Sequence, residues 1–165
     1  MEKDNIYQEY GDFIFRYLLT LTHNIQVAEE LTQETFYQVL RSIDNYHPHE
    51  NAKFSTWLCS IAKNVWLQEL HREKKKRHLV EELSDDTPLF FGVEEEYIRN
   101  EDKIHFFKTV QQLSETKREI VYLRLLGDLS FKEIGSIFGK TENWARVTFY
   151  RAKQQMRKGG KLYES

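Results

Sequence analysis

The chain has 165 residues, of which 40% are hydrophobic and 30% charged, with only seven glycines and two prolines. This composition is typical of a folded, helix-rich protein of one ordinary domain or two small ones, and it excludes a disordered chain. The single cysteine, Cys59, excludes an intramolecular disulfide and a four-cysteine zinc site. The polar N-terminus shows no signal peptide, and no stretch approaches the ~20 apolar residues of a membrane span, so we expect a cytoplasmic protein.

Apolar side chains recur at three- and four-residue steps in the first half of the chain, which is the period of amphipathic helices. They predict a first helix over 6–21. A second helix, for which Asn24 can act as the N-cap, continues the pattern over 28–43. A third helix is predicted from about Ser55, and it ends in the basic run 71–77.

The segment 79–103 differs in kind, because it carries nine acidic residues against two basic ones, together with a proline and a glycine. It is interpreted as an acidic linker, with a short helix around Tyr97. No strand-like alternation of any length occurs. We therefore predict an all-α fold of two small helical domains, residues 1–78 and 104–165, joined by this linker.

The second half of the chain predicts shorter helices, two of them over 104–126. Ser130 and Glu133 have the spacing of a capping box and open a short helix, which Gly139 ends in the position that favours a left-handed residue. Thr141 can cap the last helix. A short capped helix, a glycine turn and a second helix are the layout of a helix-turn-helix, whose second helix enters the DNA major groove.

The last helix is strongly basic, and between Lys140 and Lys161 the only acidic residue is Glu142. A basic helix of this kind can simply be a solvated surface. The spacing of the whole unit over 114–158 favours DNA binding instead, in spite of a formal net charge of −2, because a polyanion responds to how charge is distributed.

Three strings in this half, over 113–124, 129–135 and 146–153, resemble the fourth conserved region of extracytoplasmic-function (ECF) sigma factors. In that family the unit reads the upstream promoter element. The resemblance implies that Arg124 contacts phosphate. It implies an upstream-element set made of Arg124, Lys140, Arg146, Tyr150, Arg151, Lys153 and Arg157.

The chain departs from the family pattern inside this unit. Asn143 and Trp144 stand where the family more often has Gly-Thr, and Thr148 stands where an arginine is common. These departures leave the preferred upstream sequence open. Trp144 is interpreted as a core residue rather than a base contact.

The string over 28–36, AEELTQETF, closely resembles the most recognisable ECF sequence. Taken alone, it could be an amphipathic helix with a solvated acidic face. In the family, this helix packs on a coiled coil of the polymerase clamp, with polar residues facing outward and apolar ones serving as contacts or core. The resemblance implies a polymerase-binding set of Glu30, Leu31, Gln33, Glu34 and Phe36.

The string over 54–64, FSTWLCSIAKN, resembles the second conserved ECF region, where a helix and the loop before it melt and read the start-proximal element. Basic groups hold the backbone of melted DNA, and aromatic faces or pockets hold its unstacked bases. The implied set is Lys53, Phe54, Trp57, Lys63, Asn64, Arg72, Lys74 and Lys75. We expect the loop 45–53 to hold an extruded base together with Asn64. The helical spacing of Trp57 with Ile61 and Leu70 also permits a core position.

The resemblance covers nearly the whole chain, with its three motifs in order. It implies a sigma factor that acts in a stress or envelope response and is not an enzyme, with no catalytic residue, metal or cofactor. The implied partners are core RNA polymerase, promoter DNA and a membrane-anchored anti-sigma factor.

Two other readings of the residues remain open. A stand-alone helix-turn-helix regulator would not need the two N-terminal motifs. A small metal-dependent nucleic-acid enzyme would depend on His47, His49 and Glu50. Two histidines around a proline in a loop are more often solvent-exposed, and the sequence assigns no third ligand to them.

Overall fold

The computed structural model describes residues 3–47, 53–77, 105 and 108–159. The chain divides into two compact units, Met1–Pro88 and Leu89–Ser165. No strand occurs within the described ranges, as the all-α prediction requires. The predicted linker over 79–103, with its short helix around Tyr97, lies outside them.

Three helices form the first unit: α1 (Lys3–Thr22), α2 (Ile25–Ser42) and α3 (Phe54–Arg77), with a single 3-10 turn at Ile43–Asn45 after α2. Each helix packs against the other two. All three predicted helices are confirmed, although α3 begins one residue earlier than predicted.

A tight connection folds α2 back on α1. His23 adopts a left-handed backbone with a φ of 57°. The Asn24 side-chain oxygen then accepts a hydrogen bond from the Val27 N–H at 3.0 Å, which confirms the predicted N-cap. Two antiparallel helices joined by so short a loop bring their apolar faces together.

The core of this unit consists of the apolar stripes that the sequence marks. Buried side chains include Ile14, Tyr17, Leu18 and Leu21 of α1, Ala28, Leu31, Phe36 and Val39 of α2, and Leu58, Ala62 and Val65 of α3. Full burial of a large apolar side chain stabilises a fold by about 1.5–3 kcal/mol. Packing of these stripes therefore holds the three helices together.

The second unit contains α4 (Glu115–Leu125), α5 (Phe131–Phe138) and α6 (Glu142–Gly159), preceded by a helical segment over 108–111. The helix predicted over 104–113 is thus described only in part. Both α4 and α5 contact α6. Their shared core contains Ile120, Leu123, Leu129, Ile134, Ala145, Phe149, Ala152 and Met156.

Local signals fix both ends of α5 and the start of α6. Ser130 and Glu133 exchange both capping-box hydrogen bonds, at 3.1 and 3.0 Å. Gly139 ends α5 with a φ of 66°, and the Thr141 hydroxyl accepts from the Trp144 N–H at 3.0 Å to cap α6. These caps were all predicted, and they produce the helix-turn-helix.

Candidate nucleic-acid and protein interfaces

The outward face of α6 lies opposite a buried stripe made of Ala145, Phe149, Ala152 and Met156. Successive residues of a helix are turned by about 100°, so the positions farthest from this stripe can be read from the sequence. Those positions hold exposed side chains, among them Asn143, Val147, Tyr150, Arg151 and Gln154. Val147 and Tyr150, an aliphatic and an aromatic side chain, are 37% and 52% exposed on this face.

Basic side chains border this face. Arg151, Arg157 and Lys140 are exposed. Lys153 is half-buried, and its ammonium lies 6.0 Å from the ring centroids of both Phe149 and Tyr150. The structure therefore brings five of the seven predicted upstream-element residues onto α6 itself and a sixth, Lys140, just before it.

Arg124 and Arg146 lie at the flank of this face, where both guanidiniums approach the ring of Phe131. The Arg124 guanidinium carbon is 4.1 Å from the ring centroid, and that of Arg146 is 5.6 Å away. Arg124 also donates to the Leu129 carbonyl at 2.9 Å. A guanidinium has five N–H donors, so this bond fixes the position of Arg124 and leaves donors for a phosphate.

Trp144 and Thr148 are both half-buried. The indole of Trp144 packs on Phe138, with ring centroids 5.2 Å apart. The Thr148 hydroxyl donates to the Trp144 carbonyl at 2.7 Å. These contacts agree with the interpretation of Trp144 as a packing residue.

The exposed polar face of α2 carries Glu30, Gln33 and Glu34. Gln38 donates to the Glu34 carboxylate at 3.0 Å, so the polar face continues along the helix. Leu31 and Phe36 are buried, with only 4% and 6% of their surface exposed. The sequence left open whether these two apolar residues contact a partner or belong to the core; in the structure they belong to the core.

Four half-buried aromatic rings form a cluster at the start of α3. The ring centroid of Tyr46 lies 4.6 Å from that of Trp57 and 5.3 Å from that of Phe54. Tyr10 of α1 adds a fourth ring, 5.4 Å from Phe54. Burial, followed by the nearby Glu9 carboxylate, raises the pKa of Tyr10 above its ordinary value. We call Tyr10, Tyr46, Phe54 and Trp57 the aromatic cluster.

Sequence reasoning named Phe54 and Trp57 of this cluster and included Tyr46 in the loop 45–53 that it expected to hold a base, but it gave Tyr10 no role in DNA binding. Tyr46 was visible in the sequence as an aromatic residue in the turn before α3. Tyr10 carried no local signal, since it belongs to the periodic face of α1 and meets Phe54 only through tertiary packing.

Asn64 is exposed and lies in a cleft of about 800 Å³ between α2 and α3, together with Glu34, Gln38 and Arg72. Ten residues of helix, about 15 Å of axis, separate it from Phe54. The structure thus groups Asn64 with the polar face of α2. It does not place Asn64 beside Lys53, where the loop 45–53 ends; residues 48–52 of that loop lie outside the described ranges.

The last turns of α3 are basic and exposed. Lys74, Lys75 and Lys76 face solvent, while Arg72 pairs with Glu69 at 2.6 Å. Lys53 is exposed just before the helix, and Lys63 is half-buried within it. Basic groups therefore occur before, within and at the end of α3.

Among the described residues, no group of three or more His, Cys, Asp or Glu side chains could hold a metal ion. His47 is exposed after the 3-10 turn, while His49 and Glu50 lie outside the described ranges. In the same part of the chain, no helix has both the length and the apolar character needed to cross a membrane.

Each of the two units matches the model of a known protein family. The family model for Sigma-70 region 2 matches residues 6–76, which contain α1 to α3, and that for Sigma-70, region 4 matches residues 106–156, which contain α4 to α6. The ECF RNA polymerase sigma factor SigM of Bacillus subtilis is 28% identical, over 95% of this chain and 94% of its own. RNA polymerase sigma factor YlaC of the same species is 25% identical, over 94% and 90%.

A solved structure has the same fold. It is the sigma factor RpoE in complex with the anti-sigma factor NepR from Bartonella quintana, with a TM-score of 0.70, 18% identity and coverage of 97% of this chain and 99% of that one. The two region models, the relatives that align along nearly their whole length and the helix-turn-helix all indicate a sigma factor. The chain belongs to the ECF family of RNA polymerase sigma factors, transcription initiation factors that direct the polymerase to promoters.

Proposed function

We propose that this sigma factor binds core RNA polymerase through the exposed face of α2, holds melted start-proximal DNA along α3, and reads the upstream element with α6. The observation that carries the proposal is the outward face of α6, where basic and aromatic side chains lie opposite the core of a helix-turn-helix. That arrangement fits a helix inserted in a major groove.

The polymerase-binding role rests on the polar face of α2. Glu30, Gln33 and Glu34 point outward, while Leu31 and Phe36 anchor the helix in the core. A rigid helix with an acidic outer stripe suits a basic helical partner, because complementary charges steer association and fix its register. Leu31 and Phe36 then act by positioning the stripe rather than by touching the polymerase.

The melting role rests on the aromatic cluster and the basic residues of α3. Stacking of an unpaired base on an aromatic side chain contributes about 1–3 kcal/mol and tolerates any base sequence. Phe54 and Trp57 are thus proposed to stack with bases, supported by Tyr10 and Tyr46. Lys53, at the start of the helix, would hold the backbone there.

Farther along α3, Lys63, Arg72, Lys74 and Lys75 are proposed to follow the phosphates of the melted strand. Asn64 is exposed on the same helix and can donate and accept hydrogen bonds to a base edge. Its place in the cleft beside Arg72 supports a base contact some distance from the aromatic cluster.

For the upstream element, Arg124 and Arg157 are proposed to contact phosphates, with Arg146, Tyr150 and Arg151 on the groove side. Lys140 and Lys153 complete the set. Phosphate contacts position a protein on the duplex and make its affinity depend on salt.

We further propose a cytoplasmic protein without catalytic activity, which acts in a stress or envelope response under a membrane-anchored anti-sigma factor. The family resemblance supports this regulation. The structurally similar RpoE is itself bound to an anti-sigma factor, NepR.

Runoff transcription with purified core polymerase across a promoter library tests the proposal. We expect transcripts that begin at a defined site only when the chain is added. A stand-alone helix-turn-helix regulator would bind duplex DNA but start no transcripts, and a metal-dependent enzyme would change the nucleic acid itself. Either of those results would overturn the proposal.

A further inference from the structure

The centre of the outward face of α6 is occupied by an amide and an aliphatic side chain rather than by arginines. Asn143 lies two residues before the buried Ala145 and Val147 two residues after it, so each is turned about 200° from Ala145, one in each direction. The two side chains therefore lie on the same face of the helix, opposite Ala145. Both are exposed, one helical turn apart.

Two neighbouring polar side chains, Arg146 and Thr148, are engaged in bonds within α6. Arg146 is turned only about 100° from Ala145, and it is paired with Glu142 at 3.1 Å. The Thr148 hydroxyl is bonded inside the helix. By contrast, within the described ranges no side-chain hydrogen bond occupies the Asn143 amide. Val147, at 37% exposure, is an apolar side chain that its own unit leaves partly exposed.

The chemistry of this pair fits one kind of DNA surface. A carboxamide matches the N6 donor and N7 acceptor of adenine, and an apolar side chain suits the methyl group of thymine. The first residues of a recognition helix are those that reach base edges, and Asn143 is the second residue of α6. Four residues of helix rise about 6 Å, close to two base-pair steps.

We infer that Asn143 and Val147 are the base-specificity residues of the upstream element, and that they select A·T pairs within two adjacent steps. Asn143 reads an adenine, and Val147 packs on a thymine methyl. The flanking arginines then contribute affinity and position. This inference rests on the proposed upstream-element role of α6, and it assigns that role a sequence preference.

The test uses the full chain assembled with core polymerase, and a duplex promoter selected by this holoenzyme from a randomised upstream library. Each upstream thymine is replaced in turn by deoxyuridine, which lacks the methyl group. At one position we expect binding to weaken about fourfold, the value of one buried methyl group. Val147→Ala should bind the thymine and deoxyuridine probes equally.

A parallel arm replaces upstream adenines by 7-deazaadenine, which lacks N7. We expect a loss of about 5- to 150-fold at one adenine, and none in Asn143→Ala. That adenine should lie within two steps of the sensitive base pair. The inference is overturned if neither replacement weakens binding of the wild type. It is also overturned if either variant remains as sensitive as the wild type to the base replacement that its substitution should make harmless.

Arg157→Ala distinguishes this failure from failure of the proposed function. If α6 lies on DNA, that substitution should weaken binding to all sequences and reduce the salt slope by about one unit. If it has no effect and the selection enriches no upstream sequence, the proposed role of α6 fails. If it weakens binding while Asn143 and Val147 variants keep wild-type sensitivity, only the inference fails.

Discussion

The Arg146 guanidinium is bound to the Glu142 carboxylate one helical turn earlier in α6, with Nη2 and Oε1 3.1 Å apart. Both side chains are about half exposed, so the pair contributes little to stability, about 0.3–0.5 kcal/mol. If α6 lies on DNA as proposed, the consequence of the pair lies in binding, because the carboxylate holds a cation that the upstream phosphates would otherwise attract. Glu142 is also the one acidic residue of α6.

Glu142→Gln should therefore tighten holoenzyme binding to promoter duplex several-fold at low salt, with a smaller gain at high salt, since screening weakens phosphate attraction. Fluorescence anisotropy at two salt concentrations measures the effect. Glu115→Gln, which removes an acid from the first turn of α4, is the matched control. Weaker binding of the Glu142 variant would instead mean that the carboxylate holds Arg146 in its DNA-contacting position.

A second prediction concerns the close approach of α5 to the start of α6. A Cβ added at Gly135 would lie 2.7 Å from the Thr141 carbonyl oxygen and 2.9 Å from that of Lys140, both of them backbone atoms. Gly135→Ala should therefore destabilise the second unit by about 1–3 kcal/mol, the usual cost of overpacking. Ser136→Ala, at an exposed position on the same helix, should change stability by less than ~0.5 kcal/mol.

Thermal unfolding followed by circular dichroism, together with upstream DNA binding, separates the two variants. We expect Gly135→Ala to lose affinity in parallel with stability, because the angle between α5 and α6 positions the recognition helix. An unaltered melting transition in this variant would show that the turn can shift without cost.

Local signals explain why much of the fold was predictable. Asn24, Ser130, Gly139 and Thr141 each act on groups within a few residues in sequence, so their roles follow from spacing alone. The three- and four-residue spacing of apolar side chains likewise located α1 to α3. It marked Leu31 and Phe36 as apolar without deciding whether they face a partner or the core.

The candidate sites were less predictable because they depend on how helices pack. Tyr10 reaches Phe54 only when α1 lies against α3. Asn64 was grouped with the loop 45–53 because both resemble parts of one conserved region, yet α3 carries its side chain to the cleft beside Glu34. Tertiary contacts of this kind leave no periodic signature in the sequence.

The third prediction tests the polar face of α2. Glu34→Lys should weaken binding of core polymerase about tenfold or more, because it replaces attraction by repulsion towards a basic partner. The fold should survive, since Glu34 is exposed and, within the described ranges, its side chain bonds only that of Gln38. Competition against the wild-type chain for limiting core enzyme measures the change.

Asp44→Lys provides the matched charge reversal outside this face. Asp44 is exposed in the 3-10 turn after α2 and pairs with Lys3 at 3.5 Å, an interaction of little weight in water. It should compete as the wild type does. If both reversals weaken binding equally, net charge rather than the face of α2 determines polymerase affinity.

The last prediction concerns promoter melting. Tyr46→Ala removes one ring from the aromatic cluster, where it contacts both Phe54 and Trp57. Tyr46 is half-buried and loses two ring contacts, each of about 0.5–1.5 kcal/mol, so the stability cost should be about 1–3 kcal/mol. Phe54 and Trp57, the rings proposed to stack with bases, lose the support of Tyr46, so the fraction of open complex should fall about tenfold, within the ~1–3 kcal/mol that stacking on one aromatic side chain contributes. Closed-complex formation should not change, because it depends on α6 and the upstream duplex.

The fluorescence of a 2-aminopurine placed in the start-proximal element reports opening. Tyr37→Ala, which removes a ring that is 57% exposed on α2 beside Gln33 and Glu34, is the control; it should leave the ratio of open to closed complex unchanged, whatever its effect on polymerase binding. If Tyr46→Ala opens DNA as well as this control does, the cluster is only the packing that holds α3 against α1, and the bases are held elsewhere on α3.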